Sequence, residues 1–204
     1  GGGLPAALAA LDRDVLPGIT HWNHPAFFAY FPSNTSLASV LGDLLAAGLG
    51  AQGMSWVTSP AATELEEVVM DWIRQLVGLP AAFTGVVQDT ASTSTLTALL
   101  CARERKSDFS QSKRGLQGGG APLVVYASDQ AHSSVEKDAC LVGFGRDHLR
   151  LRGTDAEHAL RLDLLEEAVR RDLQEGRRPC ALVATTGTTG TTALDPVEGM
   201  AAVA

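Results

Sequence analysis

Apolar positions along the chain follow two rhythms, and the change from one to the other divides the sequence. Residues 4–16 place Leu4, Leu8, Leu11 and Val15 at helical spacing, a stripe that Pro17-Gly18 ends. Residues 37–49 repeat a helical pattern. The clearest helix is predicted from Pro60 to Val77, where Leu65, Val68, Val69, Trp72, Ile73 and Leu76 form one apolar face. Ser59 can cap it, Pro60 suits its first position, and Gly78 and Pro80 end it. After that, short apolar runs alternate with helical ones. Strands are predicted at Gly85–Gln88, Leu123–Ala127 and Ala181–Thr185. Helices are predicted at Ala91–Arg105, from about Ser133, at Leu162–Gln174 and around Met200, and Ser107–Ala121 reads as a polar, Gly-rich loop. This alternation predicts an α/β domain with a largely parallel sheet flanked by helices.

In such sheets ligands collect where strands end and helices begin. Three polar clusters are expected there. Gln88-Asp89-Thr90-Ala91-Ser92-Thr93-Ser94-Thr95 combines small residues, hydroxyls and a helix start, which suits a phosphate because first-turn N–H groups lack helical partners. Taken alone it also reads as a Ser/Thr-rich helix cap. It is not a Walker A loop, since the closing Gly-Lys pair is absent. Ser128-Asp129-Gln130-Ala131-His132-Ser133-Ser134 offers an imidazole that can stack on a planar ring, or simply satisfy nearby backbone groups. Thr185 to Thr192 can line a ligand face or form a threonine-rich turn. The aromatic stretch from Trp22 to Ser33 either walls a substrate pocket or packs a core or dimer surface.

Composition narrows the classes. Of 204 residues, 45% are hydrophobic and 19% charged, as in soluble globular domains. A net charge of −7 without a basic stripe argues against nucleic acid as a partner. No apolar run reaches membrane-spanning length, because Asp43 interrupts the best candidate, Leu37 to Leu49, so no membrane partner is expected. Cys101, Cys140 and Cys180 are widely spaced in apolar contexts and read as free core thiols of a cytoplasmic protein, and no zinc or other metal site is expected. Gly1–Gly3 is unlike a cationic leader, and both ends read as cuts through a longer protein.

Five segments in order carry a family likeness. They are His21-Trp22-Asn23-His24-Pro25 with Tyr30-Phe31-Pro32-Ser33, Thr63-Glu64-Leu65-Glu66 with Met70-Asp71-Trp72, Thr90-Ala91-Ser92, Asp129-Gln130-Ala131-His132-Ser133-Ser134, and Val183-Ala184-Thr185-Thr186-Gly187-Thr188-Thr189. Together they resemble the group II pyridoxal-phosphate (PLP) amino-acid decarboxylases, especially the aromatic-L-amino-acid and tyrosine decarboxylase branch. The likeness runs from about Val15 to the end.

The resemblance implies a fold-type I PLP-dependent transferase-like large domain, incomplete at both ends, from an obligate homodimer. Residues 1–36 would form a linker and aromatic segment serving the pocket and the dimer, and residues 37–204 the first part of the cofactor-binding domain. Thr90, Ala91 and Ser92 would bind the cofactor phosphate. His132 would stack on the ring and orient the substrate carboxylate, and Thr185 would lie close to the ring. Trp22, Tyr30, Phe31, Pro32, Ser33, Gln52 and Met54 would line the substrate pocket, the last two falling where aromatic-specific relatives carry bulkier apolar residues. The implied reaction is decarboxylation of an aromatic L-amino acid to the amine and carbon dioxide. Rival readings are an aldehyde synthase or acidic amino-acid decarboxylase of the same fold, and a non-catalytic dimerisation remnant. Lys106, Lys113 and Lys137 lack the His-Lys strand-end setting of the family's Schiff-base lysine, so this piece by itself is expected to be inactive. Asp195, just before Pro196 and a helix, reads as an N-cap rather than a cofactor partner.

Overall fold

The structure, a computed structural model, describes residues 2–31 and 35–204. The chain divides into two compact units, Gly1–Val68 and Val69–Ala204.

The first unit is helical. Helix α1 (Gly3–Ala10) continues through a π-helical turn, Leu11–Val15, into a 3-10 turn, Leu16–Gly18. The turn ends at Pro17-Gly18 as the sequence requires. Helix α2 (Leu37–Leu49) starts at a capping box in which Ser36 and Ser39 each accept from the other's backbone N–H. Helix α3 (Pro60–Leu76) crosses from the first unit into the second. Every described residue of the first unit is exposed or half-buried. Leu4, Leu37, Leu44, Leu45 and Leu49 all present apolar side chains to solvent.

The second unit has a true core. Helix α4 (Ala91–Lys106) precedes a short helix α5 (Gln111–Arg114) and a 3-10 turn inside the loop predicted as irregular. Strand β1 (Leu123–Ser128), helix α6 (Ser134–Leu141), strand β2 (Leu149–Arg152), helix α7 (Leu162–Gln174), strand β3 (Arg178–Val183) and helix α8 (Val197–Val203) follow. The strands pair in parallel in the order β2-β1-β3, with Ala127 opposite Leu151 on one side and Val183 on the other. Central β1 is buried on both faces, and its residues alternate between two apolar layers. Val124 and Tyr126 pack with Leu160, Leu165, Ala168 and Met200, toward α7 and α8. Val125 packs with Leu99, Ala139, Val142 and Phe144, toward α4 and α6. This three-layer arrangement matches the α/β expectation.

Three expectations are corrected. Residues Gly85–Gln88 form no strand, and Val86 and Val87 are exposed. Gly85 is instead fixed by a close approach to Met70 of α3, since a Cβ there would overlap the Met70 Cε. Strand β2 was not anticipated, because its Leu-Arg-Leu-Arg sequence hides alternation behind two charges. The cysteines are free, but only Cys180 is half-buried, and Cys101 and Cys140 are exposed rather than core.

A buried charge cluster ties α7 to the sheet. Fully buried Asp172 accepts from the Tyr126 hydroxyl at 2.9 Å, from Arg150 Nη2 at 2.8 Å and from Arg177 Nη1 at 3.0 Å. Burial by itself would raise the Asp172 carboxyl pKa, but the hydrogen bonds from Arg150, Arg177 and Tyr126 prevail and hold it well below the usual carboxylate range. Burial, then the facing Asp172, pushes the Tyr126 phenol upward.

Replacing Asp172 with Ala strands two guanidinium groups and a phenol and is expected to cost about 3–5 kcal/mol, read as a lowered thermal midpoint. Because the folded-state pKa is depressed, this stabilisation is present above the unfolded carboxylate value and is lost as pH falls through and below about 4. Urea denaturation at several pH values should therefore show acid destabilisation that Asp172→Asn largely removes. An unchanged pH slope in that variant would contradict the assignment.

Candidate functional site at the carboxyl edge of the sheet

The polar clusters converge because α4 runs antiparallel to β3. At one end, Arg178 of β3 donates to the Lys106 carbonyl that closes α4, at 2.6 Å. At the other, Ser94 and Thr95 of α4 line one groove with Val183 and Ala184. The start of α4 therefore lies at the carboxyl end of β3. Arg103 near the end of α4 donates to the Val142 carbonyl after α6, at 2.5 Å, so α6 also points its start toward that edge. His132 follows β1 and Thr185 follows β3, and these strands are hydrogen-bonded neighbours. Thr90–Ser92, His132 and Thr185 thus share one edge of the sheet. The first cluster reaches it without a preceding strand.

Each cluster has a defined local structure. Thr90 caps α4: its hydroxyl accepts from the Thr93 N–H at 3.2 Å, and Thr93 Oγ1 accepts from the Thr90 N–H at 3.2 Å. Helix geometry leaves the Ala91 and Ser92 N–H groups without i−4 carbonyl partners, and both residues are exposed. With the positive end of the helix dipole, this arrangement can hold a phosphate. Asp89 lies beside it, accepting a hydrogen bond from the Thr93 hydroxyl.

His132 is exposed and held from one side. Its Nδ1 accepts from the Ser134 N–H at 3.2 Å and meets the Ser134 hydroxyl at 3.0 Å. An Nδ1 that accepts from an N–H leaves the proton of a neutral imidazole on Nε2, so the other nitrogen can donate. Ser128, fully buried, accepts from the Gln130 N–H at 3.0 Å and shapes the turn that presents the imidazole.

Thr185 is half-buried and opens a closed loop. The Gly187 and Thr188 amides both donate to the Ala193 carbonyl at 3.0 Å, and the buried Thr188 hydroxyl accepts from the Ala193 N–H at 3.1 Å. Gly187 takes a φ of +96°, a conformation that favours glycine. Asp195, expected as an N-cap, is corrected: Pro196 occupies that position for α8. The buried Asp195 carboxylate instead accepts from the Leu160 N–H at 3.0 Å and the Thr185 N–H at 2.9 Å. Its location beside an apolar crossover gave the only sequence signal, and Pro196 made capping the simpler reading.

The pocket candidates divide. Trp22 stacks with Phe27 at 5.1 Å and with Tyr30 at 5.3 Å, and Tyr30 holds a positive φ of 60°. Phe31 is exposed. Gln52 and Met54 lie exposed in the turns between α2 and α3, where the Gln52 carbonyl accepts from the Thr58 hydroxyl at 2.9 Å. All of these belong to the first unit, whereas Thr90–Ser92, His132 and Thr185 belong to the second. Pro32 and Ser33 lie outside the described residues.

Comparison with known proteins places this architecture. The family model described as the pyridoxal-dependent decarboxylase conserved domain matches residues 5–204. This chain belongs to that family. It is 46% identical to phenylacetaldehyde synthase from Arabidopsis thaliana over 98% of this chain and 42% of that protein. It is 44% identical to histidine decarboxylase from Drosophila melanogaster over 95% of this chain and 24% of that protein. The crystal structure of Catharanthus roseus tryptophan decarboxylase in complex with L-tryptophan matches all of this chain and 44% of its own, with a TM-score of 0.90 and 38% identity. The chain therefore spans less than half the length of these relatives.

The residues present fit the phosphate-bearing cofactor of a pyridoxal-dependent family: a helix start with unpaired amides and, on the same edge, an imidazole whose free nitrogen is a donor. Asp89, beside the start of α4, opposes an anion there. Asp89→Asn is expected to tighten PLP binding about 2–5-fold, the scale of a surface charge near a helix terminus, with the gain shrinking in 1 M salt. Fluorescence titration of PLP at two ionic strengths checks this. Unchanged or weaker binding would count against Thr90–Ser92 as the phosphate site.

Proposed function

We propose that the full-length protein containing this chain is a PLP-dependent carboxy-lyase that converts an aromatic L-amino acid to its amine and carbon dioxide. The observation that carries the reading is the shared sheet edge, where the start of α4 and His132 are both exposed in a chain of this family. Pyridoxal phosphate, when bound, supplies an electron sink for the pair left on Cα as the carboxylate departs.

The chain's own residues would bind and orient. The Ala91 and Ser92 amides, with the Thr90 hydroxyl, would hold the phosphate. His132 would lie against the ring, and its Nε2–H would hold the substrate carboxylate in place for departure. Thr185 would form part of the ring's surroundings. Trp22, Tyr30, Phe31 and, in the same segment, Pro32 and Ser33 would receive the substrate side chain, with Gln52 and Met54 tuning its size and polarity. None of the three lysines suits the Schiff-base role: Lys106 ends α4 at the opposite edge, Lys113 is on α5, and Lys137 is one turn into α6. That amine would come from elsewhere in the longer protein, so this chain by itself would not turn over substrate.

The first unit supports a homodimer as the working form. It holds no buried residue among those described, yet exposes Leu4, Leu37, Leu44, Leu45 and Leu49. Such a surface is stabilised when its apolar area is covered, and a second subunit would do so. A second reaction deserves a place because the relative at 46% identity is an aldehyde synthase. Formation of the aldehyde instead of the amine from phenylalanine or tyrosine would favour it.

His132→Ala in the full-length enzyme is expected to lower kcat by about 100-fold or more, the scale of losing one positioned donor, while PLP remains bound. Stopped assays with product identification, alongside PLP absorbance, read both quantities. Wild-type turnover in this variant would remove His132 from the mechanism.

A further inference from the structure

Beyond the hydrogen bonds within its own loop, Thr185 is held at both its N–H and its carbonyl by one buried residue, through that residue's side chain and its backbone. Asp195 Oδ2 accepts from the Thr185 N–H at 2.9 Å, and the Asp195 N–H donates to the Thr185 carbonyl at 2.9 Å. Next to this pair, Thr186 and Leu194 form an isolated antiparallel bridge. The other carboxylate oxygen, Oδ1, accepts from the Leu160 N–H at 3.0 Å, in the segment that leads into α7. Leu160 is itself part of the core layer beneath β1. Asp195 is 4% exposed and pairs with no Arg or Lys among the described residues. A buried carboxylate with only amide partners is retained where its geometry cannot be replaced by a neutral group, because both oxygens must accept at once. Asn presents one acceptor and one donor, so one of the two amides would face an N–H.

The geometry points to Asp195 as a positioning residue for the reaction: it fixes the backbone at Thr185 against the Leu160 segment of the core, and so fixes the wall that Thr185 presents to the cofactor ring. This inference rests on the proposed function for the place of Thr185, but the Asp195 contacts stand independently of it.

The test uses the full-length enzyme and its Asp195→Asn variant, each titrated with PLP. The expected result is a weakening of PLP binding by about tenfold and a fall of about tenfold in kcat at saturating PLP, with an altered circular-dichroism signal of the bound cofactor. A purely structural role would lower the thermal midpoint while leaving kcat and the cofactor signal, measured well below that midpoint, at wild-type values; that outcome overturns the proposal. A wild-type enzyme that shows no cofactor signal overturns the cofactor reading, and the positioning role with it. Should Asp195→Asn fail to fold, amide hydrogen exchange on the wild-type protein decides: strong protection of both Thr185 and Leu160 supports the grip, and solvent-like exchange at Thr185 overturns it.

Discussion

Burial of β1 on both faces is the constraint from which the rest of the second unit follows. A strand with solvent on neither side must receive an apolar layer on each, so Val124 and Tyr126 face one set of helices while Val125 faces another. Covering both faces of a parallel sheet requires crossover helices that return the chain to the strands' starting edge. Every strand then ends on the same side, and every chain segment leaving a strand begins there. The shared edge of His132 and Thr185 is a consequence of this topology, and Thr90 reaches it because α4 packs antiparallel to β3. It also explains why the groups gathered there are backbone amides, a short-tethered imidazole and small hydroxyls. Segments at such an edge must turn within a few residues, and only compact side chains leave room for a ligand between neighbouring turns.

Much of this was legible in the sequence for physical reasons that can be named. Helix α7 was read to its exact residues because its apolar face recurs every three to four positions without interruption. Thr90 and Thr93 announced the start of α4 through capping chemistry that depends only on local spacing. What failed to show was what depends on distant partners. Residues Gly85–Gln88 have the composition of a strand but adopt no strand, since composition alone does not supply a ladder. Strand β2 has the reverse character, since its arginines are polar in sequence yet Arg150 turns inward to Asp172, some twenty positions away. The role of Asp195 likewise needed Leu160 and Thr185 brought together by folding. The family likeness supplied the roles of Thr90–Ser92, His132 and Thr185; periodicity and composition supplied only their surroundings.

The two units differ in how their apolar residues are used. In the second, alternating side chains of β1 disappear into layers. In the first, helical stripes that predict burial just as strongly remain at the surface, from Leu4 and Leu8 through Leu44 and Leu45. A helical stripe tells that a surface must be covered, not which surface covers it. The aromatic stacking of Trp22 with Phe27 and Tyr30 provides the most organised side-chain packing in that unit.

Three buried aspartates show how the second unit manages carboxylates out of water. Asp172 gathers two guanidinium groups and a phenol, so its charge is compensated and its pKa falls. Asp138, on α6, has a buried oxygen with no hydrogen-bond partner; burial raises its pKa, opposed by nearby Lys137, and favours the protonated acid. Asp195 has different partners: two backbone amides from separate segments occupy its oxygens. The first arrangement fastens a helix to the sheet. Only the third transmits geometry directly to a residue at the binding edge, since moving the carboxylate by an ångström would have to move either the core segment at Leu160 or the peptide at Thr185. On the proposed reading, a side chain with that connection positions the site although it touches no ligand.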